Sequence, residues 1–110
     1  MNHELSFLSN KNYRTYNVQV ARIVGVNAAI IISDLQGCFE DNFENEELTS
    51  HPRWGENWFF YTLEKGIERT CLSRKEQDRA IQILIKEGWI EKQVFGHDQK
   101  AQFHIKENRQ

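Results

Sequence analysis

An α+β fold, mainly helical, is predicted for this chain by three observations. Apolar residues recur at three- and four-residue steps between Ala28 and Phe39 and again after Ser73, the period of amphipathic helices. A capping-box sequence, Ser73-Arg74-Lys75-Glu76, marks where the last helix starts. Beyond Gly88, two short runs rich in aromatic and β-branched residues flank the turn-forming segment Gly96-His97-Asp98-Gln99-Lys100 and read as a hairpin. The prediction is a three-helix core plus a β-hairpin, preceded by an extra short N-terminal helix or arm.

Each element has its own local signal. Up to about residue 15 the chain is polar with isolated aromatics, Phe7 and Tyr13, and reads as an arm or a short strand. Asn17 is a cap for a short helix from Val18 to Val24, with Val20, Ile23 and Val24 as its apolar side. Gly25 supplies the left-handed position that ends it. Asn27 is expected to cap the next helix, Ala28 to about Phe39, whose buried stripe is Ala28, Ile31, Ile32, Leu35 and Phe39. Ile30 lies off that stripe and is expected to touch another element or a partner chain. From Glu40 to Asn57 the composition turns acidic and is punctuated by Pro52 and Gly55. This reads as a long, exposed connection with at most one helical turn, pointing away from any polyanion.

Trp58-Phe59-Phe60-Tyr61 has high strand propensity. Thr62 then caps a helix from Leu63 to about Thr70, with Glu64 in the first turn where the helix dipole favours an acid. Leu63, Ile67 and Cys71 form its apolar row. Leu72-Ser73 is a tight link, and the helix after it turns Gln77, Ala80, Ile81 and Leu84 to one side before Gly88 ends it. Trp89 to Phe95 and Ala101 to Lys106 are the two strands of the hairpin. Trp58, Phe60, Trp89, Phe95 and Phe103 read as core residues covering the helices rather than as base-stacking platforms. Helix, strand, helix, short turn, helix, hairpin is the order of a winged helix-turn-helix. The domain reading is therefore an arm and short helix over 1–25, the winged helix over 26–106 and a tail over 107–110.

Charge and composition bound the function. Residues 1–64 carry four basic residues against nine acids, a balance of −5, whereas residues 65–110 carry ten against seven, a balance of +3. The net charge is −2, but the basic half coincides with the helix-turn-helix pattern. At 100° per residue, Lys75, Arg79, Gln82 and Lys86 lie opposite the core sector of the last helix, with Asp78 on their flank. In a winged helix this outward side enters the major groove, where Arg and Gln contact base edges and Lys neutralises phosphate. The expected DNA-binding residues are Lys75, Arg79 and Gln82 in the groove, Arg74 near the helix start and Lys86 on the backbone; Asp78 on the flank counts against phosphate contact, though a carboxylate can also read a cytosine amino group. Lys92, His97, Gln99 and Lys100 on the wing complete the set. The partner read from this pattern is double-stranded DNA.

Other classes find no support. There is no phosphate-binding Gly-rich loop, no H-E-x-x-H and no nucleophile–base grouping, so an enzyme is not expected, nor is a small-molecule substrate or cofactor. The four scattered histidines lack zinc-ligand spacing, so no metal is expected. Cys38 and Cys71 form no C-x-x-C pair and read as buried thiols of a reducing compartment. The longest apolar run, Ala28 to Ile32, is far too short for a membrane span, and residues 1–4 do not begin a signal peptide. A cytoplasmic protein without membrane contact is expected.

The segment Trp58 to Thr62, the helix Leu63 to Thr70, and Leu72-Ser73-Arg74-Lys75-Glu76-Gln77 running through Ala80-Ile81 and Leu84 to Gly88-Trp89-Ile90 resemble the N-terminal winged-helix domains of phage and plasmid replication initiators. These include replisome-organiser and DnaD-like proteins. Val26 to Leu35 is similar to the helix that opens those domains, so the likeness covers roughly residues 26–106. The resemblance implies origin or duplex DNA binding in the replication of a mobile element. It also implies a homo-oligomer made through the N-terminal region and, often, a further C-terminal domain. A transcriptional regulator of the same fold, and a winged helix that contacts protein instead of DNA, stay open as alternatives.

Overall fold

In the computed structural model, residues 15–95 and 100–106 are described. Among these residues four helices, α1 (Val18–Val24), α2 (Val26–Glu44), α3 (Leu63–Thr70) and α4 (Arg74–Lys86), combine with β1 (Thr49–His51), β2 (Gly55–Phe60), β3 (Ile90–Phe95) and β4 (Lys100–Ile105). The molecule is an α+β domain whose strands form one antiparallel sheet in the order β1-β2-β4-β3.

Asn17 does cap α1: its side-chain oxygen accepts from the backbone N–H groups of Gln19 and Val20 at 2.8 and 3.2 Å. Gly25 ends α1 and also begins α2, with φ 94° and ψ 163°. That extended conformation at positive φ is open to glycine and strained for other residues. The next helix therefore starts at Val26, and Asn27, expected as its cap, lies inside the first turn. α2 is the central element, packed on α1, α3, α4 and β2. Ala28, Ile31, Ile32, Leu35 and Cys38 are buried in the main core with Phe59, Tyr61, Leu72, Ala80, Ile81, Leu84, Ile90 and Phe103.

The expected exposed connection from Glu40 to Asn57 is corrected. α2 runs on to Glu44, with the acids of this stretch in solvent and Phe39 in tilted ring contact with both the largely exposed Phe43 and the buried Phe59, each at 6.2 Å. β1 and β2 then form a hairpin, Thr49 opposite Trp58. The Thr49 hydroxyl ties β1 across β2 to β4 by donating to the buried Gln102 side chain at 2.7 Å. Phe59 and Phe103, paired across β2 and β4, face the helices. On the opposite side of the sheet Trp58 is fully buried and stacks on His104 at 5.5 Å. Phe60, expected in the core, is 41% exposed, since alternation puts it on the face away from the helices. Trp58 and Phe103 are buried as expected, Trp89 is half-buried, and the Phe95 side chain lies outside the described residues.

α3 and α4 meet at an unusually close point. Thr62 caps α3 by accepting from Lys65 N–H at 3.1 Å, as the sequence predicts. The apolar row Leu63, Ile67 and Cys71 is nevertheless not its buried side: Ile67 is 44% exposed and Gly66 is the residue turned inward. A Cβ at Gly66 would come within 2.6 Å of the Gln77 side-chain carbon. The missing side chain lets the Gln77 amide lie in the crevice, where it donates to Leu72 O at 3.0 Å and Leu63 O at 3.4 Å. With Gly66 inward, Arg69 points at α2 and bonds Asp34 at 2.9 Å, while the Tyr61 hydroxyl donates to the other oxygen of the same carboxylate at 2.6 Å. Asp34 is thus a buried charge satisfied by two elements, the condition under which burial is tolerated. Burial, and then the bond to Asp34, push the Tyr61 phenol far above its ordinary range, so it remains a donor at neutral pH.

Cys71 ends α3 in the left-handed conformation at φ 63° and is exposed, which corrects its reading as a buried thiol. Cys38 is buried as expected, and burial pushes its thiol up. The capping box of α4 is formed, with Glu76 N–H donating to Ser73 Oγ at 3.2 Å and Ser73 N–H to Glu76 Oε1 at 2.9 Å. The helix closes on Gly88 at φ 81°, with Trp89 N–H bonded to Leu84 O and Gly88 N–H to Ile85 O. This is the paired arrangement of a Schellman end.

Candidate nucleic-acid interface

α4 fixes the position of most expected contact residues through its buried side. Gln77, Ala80, Ile81 and Leu84 are buried, so the helix cannot rotate without exposing them. Arg74, Lys75, Asp78, Arg79, Gln82 and Lys86 are in consequence all exposed. Lys92 on β3 and Lys100 on β4 are exposed as well. The remaining two expected residues, His97 and Gln99, lie outside the described residues.

The exposed face of α4 lies between two clefts. On the side of the hairpin, one cleft is walled by Arg74 and Asp78 from α4 and by Lys92 and Lys100 from β3 and β4. Tyr61, Thr62 and Glu64 at the start of α3 close it. Four of the expected residues, from three separate elements, therefore converge. The β3–β4 register explains how the strands contribute: Lys92 lies opposite Phe103 and Phe95 opposite Lys100. The Lys92 ammonium sits 6.0 Å above the Phe103 ring, which holds its stem against the sheet while the charge stays in solvent. The second cleft, on the α2 side, is walled by Arg79, Glu76, Ala80 and Ile83 against Gly25, Val26 and Asn27. Arg79 is thus separated from Arg74, which lines the hairpin-side cleft. The α2-side residues Val26 and Asn27, and Thr62 and Glu64 on the other side, were not expected at the interface. Their signal was present only as helix-start positions.

Ion pairing is sparse, and Arg22, Arg53 and Lys65 stand outside it as these cations do among the described residues. Among the described residues, the ion pairs are Arg69 with Asp34 and Lys106 with Glu91, at 2.9 and 3.8 Å. Arg74, Lys75, Arg79, Lys86, Lys92 and Lys100 enter none among those residues. Such side chains keep their full charge available to a polyanion and need no ion pair broken to reach it. Lys86 lies in the last turn of α4, where the helix dipole accounts for a cation without any ligand.

Among the described residues no group of three or more His, Cys, Asp and Glu is placed to hold a metal ion, and no helix is long and apolar enough to cross a membrane. The chain matches no protein-family model, no curated protein and no solved structure.

Proposed function

We propose that this chain is a winged-helix module that binds double-stranded DNA, with α4 in the major groove and the β3–β4 hairpin as the wing on the flanking backbone. The observation that carries the reading is the convergence of Arg74, Lys92 and Lys100 on one open cleft beside the exposed row Lys75, Arg79, Gln82 and Lys86. Two adjoining supports, a helix side and a hairpin, match a duplex whose groove and phosphates must be met together. The strand order, with β4 between β2 and β3, is consistent with a wing returning through the middle of the sheet. By its resemblance to the N-terminal domains of phage and plasmid replication initiators, the module acts in replication initiation of a mobile element in the cytoplasm.

A fluorescence-anisotropy titration against a random-sequence duplex tests this. Between about 50 and 200 mM salt the affinity should fall roughly 500-fold, as expected when some five phosphates are neutralised. Arg79→Ala should weaken binding by about 1–3 kcal/mol with the fold intact. Absent or salt-independent binding refutes the reading.

A second reading draws on the apolar side of the α2 cleft. Val26, 49% exposed, lines that cleft with Ile83 and Arg79, and Ile23 on α1 is 64% exposed. In that reading α4 and the N-terminal helices contact protein, either a partner or the second copy that the resemblance implies. It requires that duplex DNA not be bound.

A further inference from the structure

We propose that Asp78 is the residue by which this face selects its DNA sequence, accepting the exocyclic amino group of a cytosine and rejecting guanine and thymine at that position. The inference rests on the DNA-binding reading and deepens it.

Among the described residues, no ion pair and no helix cap involves Asp78. It is exposed and lies beyond the first turn of α4, where Glu76 already completes the capping box. The dipole that rewards an acid near a helix start fades after that turn, and aspartate is a poor residue for a helix interior. Arg74 is four residues earlier and Lys92 and Lys100 line the same cleft, yet Asp78 forms no ion pair among the described residues. Glu64, the other acid of that cleft, differs because it sits in the first turn of α3 beside the Thr62 cap. A carboxylate among cations that face a polyanion lowers generic affinity for phosphate. What it can add is discrimination.

The helical wheel places Asp78 between Arg74 and Gln82, about 40° from each, on the hairpin side of the outward row. A helix lying in the groove therefore brings it to base edges while Lys92 and Lys100 meet the backbone. An ionised carboxylate only accepts hydrogen bonds. On the major-groove edges the donors are cytosine N4 and adenine N6; guanine and thymine present acceptors there. Adenine's N7 acceptor lies beside its amino group and repels the second carboxylate oxygen, whereas cytosine has only a C–H beside its own. Cytosine is the base that fits.

The experiment is selection from a pool of duplexes with randomised central base pairs, using the full chain and its Asp78→Asn and Asp78→Ala variants, with circular dichroism confirming the fold. The native chain should enrich a motif with a fixed cytosine. Replacing that base pair should weaken binding roughly 5- to 150-fold. Both variants should lose the preference at that one position and bind the unselected pool more tightly. Cytosine enrichment that survives in both variants, or salt-sensitive binding without any cytosine-dependent position, overturns the inference and leaves the DNA-binding reading standing. A native chain that binds no duplex overturns both.

Discussion

Arginine serves two opposite ends in this molecule. At the joint of α2, β2 and α3, Arg69 is largely covered and bonded to Asp34, whose side chain is 3% exposed and also receives the Tyr61 hydroxyl. On α4, Arg74 and Arg79 stand exposed, outside any ion pair among the described residues, at the mouths of two clefts. A buried charge must be satisfied by the fold, so removing its partner damages the fold. An exposed one owes nothing to its neighbours, so its removal damages only what it would contact. The same functional group is structural or available according to what surrounds it, and residue type alone does not separate the cases.

The largest break in this contrast should come from Asp34→Ala, which leaves the Arg69 charge and the Tyr61 hydroxyl without their acceptor. A loss of about 3 kcal/mol is expected, at the low end for buried pairs because Arg69 retains some contact with water. Urea denaturation measures it, against a change under about 0.5 kcal/mol for Arg74→Ala. A stability loss for Arg74→Ala as large as that for Asp34→Ala would erase the distinction. Next in size is Gly66→Ala. The added methyl group must displace the Gln77 amide from its two carbonyl acceptors, and about 2 kcal/mol should be lost. Smallest, and opposite in sign, is Cys71→Gly, which relieves a left-handed residue in the exposed turn between α3 and α4. A gain of about 0.5–1 kcal/mol is expected, visible as a higher midpoint in thermal melts.

Local grammar made much of the fold legible. Asn17, Thr62, the Ser73–Glu76 box and Gly88 each act within four residues of their partners, and each does in the structure what its spacing predicts. What escaped the sequence depends on distant partners. β1 was hidden because Thr49-Ser50-His51 looks like loop, and it is held by Trp58 and Gln102. The end of α2 was hidden because Glu40, Asp41 and Glu44 resemble a linker when Phe43 is not seen against Phe39. The buried face of α3 was misread because a glycine carries no hydrophobic signal, so Gly66 gave way to Ile67. One clue was available. Asp34 falls on the apolar stripe between Ile31 and Leu35, and a carboxylate there demands a distant cation. Of the expected contact residues, the α4 set followed from periodicity alone. The meeting of Arg74 with Lys92 and Lys100 required the sheet register.

The Gln77 amide, wedged in the crevice that Gly66 leaves, ties α4 to the carbonyls of Leu63 and Leu72. The anchoring side of this rod and its exposed side are therefore built from different residues. Positions 75, 78, 79 and 82 are exposed and can be exchanged at little cost to folding. Under the proposed DNA-binding function, a library varied at those four positions alone should yield folded proteins with many different preferences.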